Sequence, residues 1–330
     1  MKVVLVGGGG FIGHNAALEM SKRGWEPTII DSFGINNLYA LKPEETLSRK
    51  IIQERLNLLR GIPIIHLDAR NYQMLSETIS HLQPEVILHL AAVSHIDRSN
   101  KNPYTTLDHS LRTLENSLDI ARALNTHIVY FSSSTVYGDW NRDVLDEDSP
   151  CHPKGIYGRM KLCGEILVEG YREVYDLPTT IIRPCALYGP RCISRRVVQV
   201  FVENAILGKP STINGGDQKT DFTYIDDLVD GIIRVCKSPL SIGETFNITG
   251  GNARSLEDLA DIISRIVPET SWVHTGKDPE KPERGTMSNA KADRLLGYVP
   301  RHKLEVGVRK YVKWYRDFLG KYDFPATFRV

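Results

Sequence analysis

Tyr157 and Lys161 stand four residues apart, which puts a phenol and an ammonium on one face of a helix. An ammonium beside a phenol favours the ionised form, and a phenolate can take a proton from an alcohol at neutral pH. The pattern Y-x-x-x-K also recurs by chance, and an exposed tyrosine–lysine pair would look the same. The run Ser132-Ser133-Ser134-Thr135-Val136-Tyr137-Gly138 separates the two readings. It follows an apolar stretch at 128–131, so its hydroxyls fall at the carboxyl edge of a sheet, where open α/β folds bind ligands. Hydroxyl, phenol and ammonium together suit removal of hydride from a hydroxyl-bearing carbon.

Hydride removal needs an acceptor, and the N-terminus offers a seat for one. Val3-Val4-Leu5-Val6 reads as a buried strand, and Gly7, Gly10 and Gly13 follow at G-x-x-G-x-x-G spacing before a helix. Gly7 permits the tight turn, Gly10 lets a pyrophosphate approach the backbone, and Gly13 lets the helix pack close to its strand. The helix start then faces the phosphates. A second strand, 27–30, ends in Asp31, placed to bond the adenosine ribose hydroxyls and to repel a 2′-phosphate. No arginine follows in Ser32-Phe33, so NAD is expected rather than NADP. A βαβ unit that holds no ligand is the competing reading of the glycines.

The elements that carry these residues alternate. Strand-like runs at 64–67, 86–90, 128–131 and 179–182 interleave with helical patterns at 72–82, 103–124 and 157–175. Such alternation predicts a Rossmann-type doubly wound parallel sheet with helices on both faces. The long connection at 44–60 reads as an extra amphipathic helix over the cofactor end. After residue 184 the rhythm changes: a helix at 195–207, strand pieces at 212–213, 222–225 and 245–248, and a helix begun by Asp226-Asp227. Ser255-Leu256-Glu257-Asp258 resembles a helix cap. Val308, Tyr311, Val312, Tyr315 and Phe318 form one stripe of a last helix. The expected division is a cofactor domain over 1–183, with 221–249 returning to it, and a smaller α/β substrate domain over 184–330.

The 330 residues are enough for a substantial core. With 41 basic and 40 acidic residues, the net charge of +1 gives no reason to expect nucleic acid or an anionic membrane as partner. Five cysteines, none in C-x-x-C, read as reduced thiols, without a disulfide framework or a metal site. Apolar runs are strand-length, and the start lacks the apolar core of a signal peptide. A cytoplasmic protein is expected.

With these motifs the sequence resembles an extended short-chain dehydrogenase/reductase, in the branch of NAD-dependent nucleotide-sugar epimerases and dehydratases. The likeness also rests on Leu67-Asp68-Ala69-Arg70, His89-Leu90-Ala91-Ala92, Arg183-Pro184, Tyr188-Gly189-Pro190-Arg191 and Asp221-Phe222-Thr223-Tyr224-Ile225-Asp226-Asp227. It implies a cofactor set of Gly7, Gly10, Phe11, Ile12, Gly13, Asp31, Asp68, Ala69, Leu90, Ala91, Ala92, Tyr157, Lys161 and Pro184. Asp68 would bond the adenine amine. Aligned back from Val136-Tyr137-Gly138, the hydroxyl sharing the substrate oxygen with Tyr157 falls on Ser133, with Ser134 one position off. The resemblance implies a nucleoside diphosphate sugar as partner, held by Ser94, His95, Ser134, Arg191 and Arg284, and a homodimer.

The departures set the chemistry. Val93-Ser94-His95-Ile96-Asp97-Arg98-Ser99 is very similar to the segment in dTDP-glucose-type 4,6-dehydratases. Those enzymes place an Asp and a Glu after the catalytic hydroxyl residue, and this chain has Ser134 and Thr135. UDP-glucuronate decarboxylases carry a Glu at the Thr135 position. Ala186 stands where many epimerases have Asn or Thr, and Thr220 replaces the family's Arg before Asp221. Arg195 and Arg196 supply charge there or form a solvated helix start. His14 reads as a helix-surface residue, Cys185 and Cys192 as packing, and Trp140 as pocket wall or loop packing. The expected activity is a 4-epimerase acting on a UDP-hexose, UDP-hexuronate or UDP-N-acetylhexosamine through a 4-keto sugar. A C4 dehydrogenase, an atypical 4,6-dehydratase and a non-catalytic NAD-binding protein are the alternatives.

Overall fold

The computed structural model describes residues 1–35, 37–94, 96–140, 142–276 and 284–322. Strand and helix alternate from the start: β1 (Lys2–Val6), α1 (Phe11–Lys22), β2 (Glu26–Asp31), α2 (Thr46–Leu58), β3 (Ile64–His66), α3 (Tyr72–Leu82) and β4 (Val86–His89). Three helical pieces follow, α4 (Ile96–Lys101), α5 (Pro103–Leu107) and α6 (Thr113–Leu124). Next come β5 (His127–Phe131), β6 (Val144–Leu145), α7 (Gly155–Tyr175), β7 (Thr179–Arg183) and β8 (Leu187–Tyr188). The rest comprises α8 (Val197–Ile206), β9 (Ser211–Asn214), β10 (Lys219–Asp221), β11 (Thr223–Tyr224), α9 (Ile225–Lys237), β12 (Thr245–Asn247) and β13 (Ala253–Ser255). After them lie α10 (Leu256–Ile266), β14 (Trp272–Thr275), β15 (Thr286–Met287), α11 (Ala290–Leu296) and α12 (Leu304–Lys321).

Seven strands form one parallel sheet in the order β12-β7-β5-β4-β1-β2-β3. The fold is a Rossmann-type doubly wound α/β sheet. β1 pairs with both β2 and β4, so its Val-rich sequence is buried from Val3 to Val6. One sheet face is covered by α1 and α9, through Ala16, Ala17, Met20, Leu228 and Ile232. The other is covered by α3, α6 and α7, through Leu75, Ile79, Leu114, Leu118 and Val168. A fully buried side chain of this kind contributes roughly 1.5–3 kcal/mol, so burial rather than helix propensity fixes where these helices lie. β12 is contributed from beyond residue 240, and the chain thus returns to the sheet after leaving it at β7.

A separate core joins α8, α10 and α12. The stripe Val308, Tyr311, Val312, Tyr315 and Phe318 is buried there, and Ile51 of α2 reaches the same cluster. Ser255 caps α10: its hydroxyl accepts from the Asp258 amide at 2.9 Å, while the Asp258 carboxylate accepts from the Ser255 amide at 2.9 Å.

Two elements differ from the pattern. The stretch at 103–124 is interrupted by a π-helical turn over Asp108–Arg112. The Thr113 hydroxyl donates back to the His109 carbonyl at 3.0 Å and competes there with regular helix bonding, and the Ser110 hydroxyl accepts from the Val93 amide at 3.3 Å. The piece at 222–225 is shorter, because β11 covers only Thr223–Tyr224, pairing parallel with β8, and Ile225 already opens α9. Among the described residues no helix is long and apolar enough to cross a membrane.

Candidate active site

The turn after β1 is built by close approach. Gly7 has φ 79°, and a Cβ there would lie 2.5 Å from the Ala91 nitrogen. A Cβ on Gly13 would lie 2.4 Å from the Gly8 carbonyl oxygen, so α1 begins against the turn itself. Gly10 is different. Its φ is −74°, and a Cβ there would meet only the Gly7 oxygen, at 3.5 Å. Nothing in the protein requires glycine at this position, yet Gly10 lines a cavity at the N-terminus of α1. The bare backbone leaves room for a group seated on the helix amides, which suits a dinucleotide diphosphate. Gly10→Val should therefore fold normally and lose roughly tenfold or more in NAD affinity, since overfilling a close-packed site costs about 1–3 kcal/mol. Thermal melting and calorimetric titration check both halves, and unchanged affinity would remove the diphosphate from this position.

The cavity has a volume of about 340 Å³ and runs along the carboxyl ends of β1, β2 and β4. Gly7, Gly10, Phe11, Ile12, Gly13 and Asp31 line one part of it, and Asp68, Ala69, Leu90, Ala91, Ala92 and Ser94 another. Asp31 accepts from the Gly9 amide at 2.8 Å and from the Phe33 amide at 2.6 Å. Burial raises its carboxyl above the usual range, and the two amides oppose that shift. Asp68 is held by Arg70, whose hydrogen bonds keep its carboxyl below the usual range.

The hydroxyl, phenol and ammonium lie beyond this cavity, where β5 ends and α7 passes. Ser133 follows β5 and caps a short 3₁₀ turn, its hydroxyl accepting from the Thr135 amide at 3.3 Å. Gly158 allows α7 to press on that turn, because a Cβ there would sit 2.9 Å from the Thr135 carbonyl oxygen. Tyr157 directly precedes this close approach on the helix. Tyr157 is 7 % exposed, as is Lys161. Lys161 Nζ donates to the Phe131 carbonyl at 2.6 Å and stands 5.1 Å over the Tyr130 ring. Burial pushes its ammonium down to about 8, opposed by the charge of Glu165. Lys161 is a costly buried cation held in place by a carbonyl and an aromatic face.

The remaining candidates divide. Ser134 donates its amide to the Pro184 carbonyl at 3.0 Å, and its side chain hydrogen-bonds the buried Cys185 thiol. Burial raises the Cys185 thiol, and the charges of Arg284 and Arg196 oppose that shift. The Ser94 carbonyl accepts from Arg196 at 3.2 Å, while Arg195 pairs with Glu203 at 2.7 Å; both arginines line the cavity, so neither is merely a solvated helix start. Trp140 is buried edge-on against Tyr137, and its indole nitrogen has no partner among the described residues. His95 lies outside the described residues.

Arg191 turns inward. Its guanidinium donates to His14 Nε2 at 3.0 Å and to the Asn15 side-chain oxygen at 2.8 Å, both on α1. His14 is therefore not a surface residue: it is fully buried, with Nδ1 on the Gly10 carbonyl at 2.9 Å. Burial first, then the charges of Arg55 and Arg191, hold its imidazole well below the ordinary range, so it is neutral. Since Nε2 accepts from Arg191, the proton is assigned to Nδ1. Sequence reasoning passed over Arg55 and Asn37, which line the cavity. The Asn37 side chain donates to the Gly9 carbonyl at 3.0 Å. Arg55 carried one signal: it shares the buried face of α2 with Ile51 and Ile52.

A parallel sheet with a dinucleotide seat at one strand end and a hydroxyl–phenol–ammonium set at another defines a nicotinamide-dependent enzyme. Residues 3–249 match the NAD dependent epimerase/dehydratase family, and the chain belongs to it. Its cofactor is accordingly NAD, and the protein is an enzyme of the epimerase/dehydratase class. UDP-glucuronate 4-epimerase 1 of Arabidopsis thaliana is 29% identical, over 97% of this chain and 78% of that protein. The dTDP-glucose 4,6-dehydratase of Salmonella typhimurium is 28% identical, over 96% and 92% respectively. Among solved structures, UDP-glucuronic acid 4-epimerase from Bacillus cereus, in complex with UDP-glucuronic acid and NAD, superposes with a TM-score of 0.84. It is 26% identical, over 95% of this chain and 98% of that one.

Proposed function

We propose that the protein is a nucleotide-sugar 4-epimerase acting on a UDP-hexose, UDP-hexuronate or UDP-N-acetylhexosamine. The observation that carries this reading is the pair Ser134 and Thr135, directly after Ser133. Elimination of water needs an acid at the leaving hydroxyl and a base at C5, and two hydroxyl side chains serve neither role. Ser134 is moreover engaged with Pro184 and Cys185. Epimerisation needs only the set that is retained. Tyr157 takes the proton of the C4 hydroxyl, Ser133 holds that oxygen, and Lys161 holds the cofactor ribose in place. NAD, when bound, would supply a reversible acceptor for the C4 hydride. The pocket walls must let the 4-keto sugar turn before Tyr157 returns its proton. Arg284 and Arg196 supply positive charge for the sugar-linked diphosphate. A homodimer is part of the same reading, supported by exposed Tyr104 and Leu107 on α5 and exposed Ile166 and Val174 on α7, two helices that pack on each other.

Likeness to a dehydratase across residues 93–99 favours the second reading, loss of water across C5 and C6. Incubation with UDP-, GDP- and dTDP-sugars in deuterium oxide, followed by NMR, tests the two. The expected outcome is interconversion of two C4 epimers, with no deuterium at C5 and no accumulation of NADH. Deuterium at C5, or a 6-deoxy-4-keto product, would overturn the assignment in favour of the dehydratase. Stoichiometric NADH would make the enzyme a C4 dehydrogenase.

A further inference from the structure

Arg55 is 1 % exposed, and it sits on α2 among the residues that line the cofactor cavity. Nε and Nη2 both donate to one acceptor, the Arg191 carbonyl, Nε at 2.9 Å. Nη1 has no partner. Among the described residues no carboxylate lies within ion-pair distance of it. Asp31 is close enough to act on it electrostatically but forms no ion pair with it, and its oxygens accept from the amides of Gly9 and Phe33. A buried cation that has only a carbonyl as partner is strongly disfavoured unless an anion joins it.

The place where that anion must sit follows from the contacts. Arg55 holds the carbonyl of Arg191, whose side chain grips His14 and Asn15 on α1. Arg55 is also near enough to His14 to depress its imidazole. Arg55 and Gly10, Phe11 and Ile12 at the N-terminus of α1, a helix of 12 residues, therefore line one cavity. Two positive features that share a cavity repel unless a negative group lies between them. The anionic part of the cofactor is its diphosphate.

We propose that Arg55 is a ligand of the NAD diphosphate, closing over it from α2 opposite the α1 amides. The inference rests on the cofactor and not on the epimerase reading. Its consequence is that cofactor binding also fixes the Arg191 carbonyl, and with it the loop leading to Arg195 and Arg196 on the substrate side.

The test is a set of displacement titrations on the full chain, wild type and Arg55→Met, with NAD, ADP and adenosine. A charge-assisted hydrogen bond is worth roughly a 10- to 100-fold change in affinity. NAD and ADP should weaken by that factor, and adenosine by less than about twofold. Should Arg55→Met not fold, Arg55→Gln carries the same comparison, because the readout is the ratio of ADP to adenosine affinity. An unchanged ratio, whether all three ligands weaken together or none does, overturns the proposal and leaves Arg55 a structural tie between α2 and the Arg191 loop.

Discussion

Tyr157→Phe is expected to lower turnover at least about 100-fold while leaving NAD affinity within about twofold, the size of effect that removal of a general base produces. The ring is nearly buried on α7, beside the turn that Gly158 brings close, and phenylalanine keeps its packing. Only the phenol oxygen is removed, and with it the group placed to exchange a proton with the C4 hydroxyl. Steady-state turnover and calorimetric NAD titration on the same preparation separate chemistry from binding. A rate loss below about tenfold would assign the base elsewhere. A parallel loss of NAD affinity would instead make Tyr157 a structural wall of the cofactor site.

What was readable in the sequence was local. The glycine turn, the acid closing β2 and the reciprocal cap of Ser255 and Asp258 each occupy fewer than ten residues, so their geometry follows from residue type and spacing. The stripe on α12 is equally plain, because one period of 3.6 residues accounts for all its buried positions. The parts that escaped depend on partners far apart in the chain. His14 seemed a surface residue because nothing in its own helix reveals Arg191, 177 positions later. Arg191 itself has φ 66°, a left-handed backbone conformation that its own residue type does not announce. Arg55 answers to a carbonyl 136 residues away. A charged residue on the apolar face of an amphipathic helix was the one local mark it left. The glycine turn, Asp31, Asp68 and Leu90 to Ala92 were therefore legible as contiguous motifs, whereas Arg55 and Asn37 of the same cavity were not, because they reach it through the tertiary fold.

Lys161→Met should be nearly inactive, bind NAD more weakly and yet change stability in a way that isolates the lysine. In the folded, cofactor-free chain burial brings the ammonium down to about 8, against about 10.4 for an unhindered lysine. Below pH 8 both folded and unfolded chains carry the proton, and the folded chain bears the whole cost of a buried cation. Between pH 8 and about 10.4 the folded chain releases the proton while the unfolded chain keeps it. The unfolded state then binds more protons, so stability rises with pH. Methionine has no such dependence, and the other titrating groups are common to both proteins. The wild type should accordingly gain about 2 kcal/mol relative to the variant between pH 7 and 9.5. Urea unfolding of both proteins at the two pH values measures this difference of differences. A constant difference would mean that Glu165 and the Phe131 carbonyl keep Lys161 charged in the fold. A rising one would mean that the lysine is held at the active site against the stability of the free protein, its charge retained for the chemistry beside Tyr157.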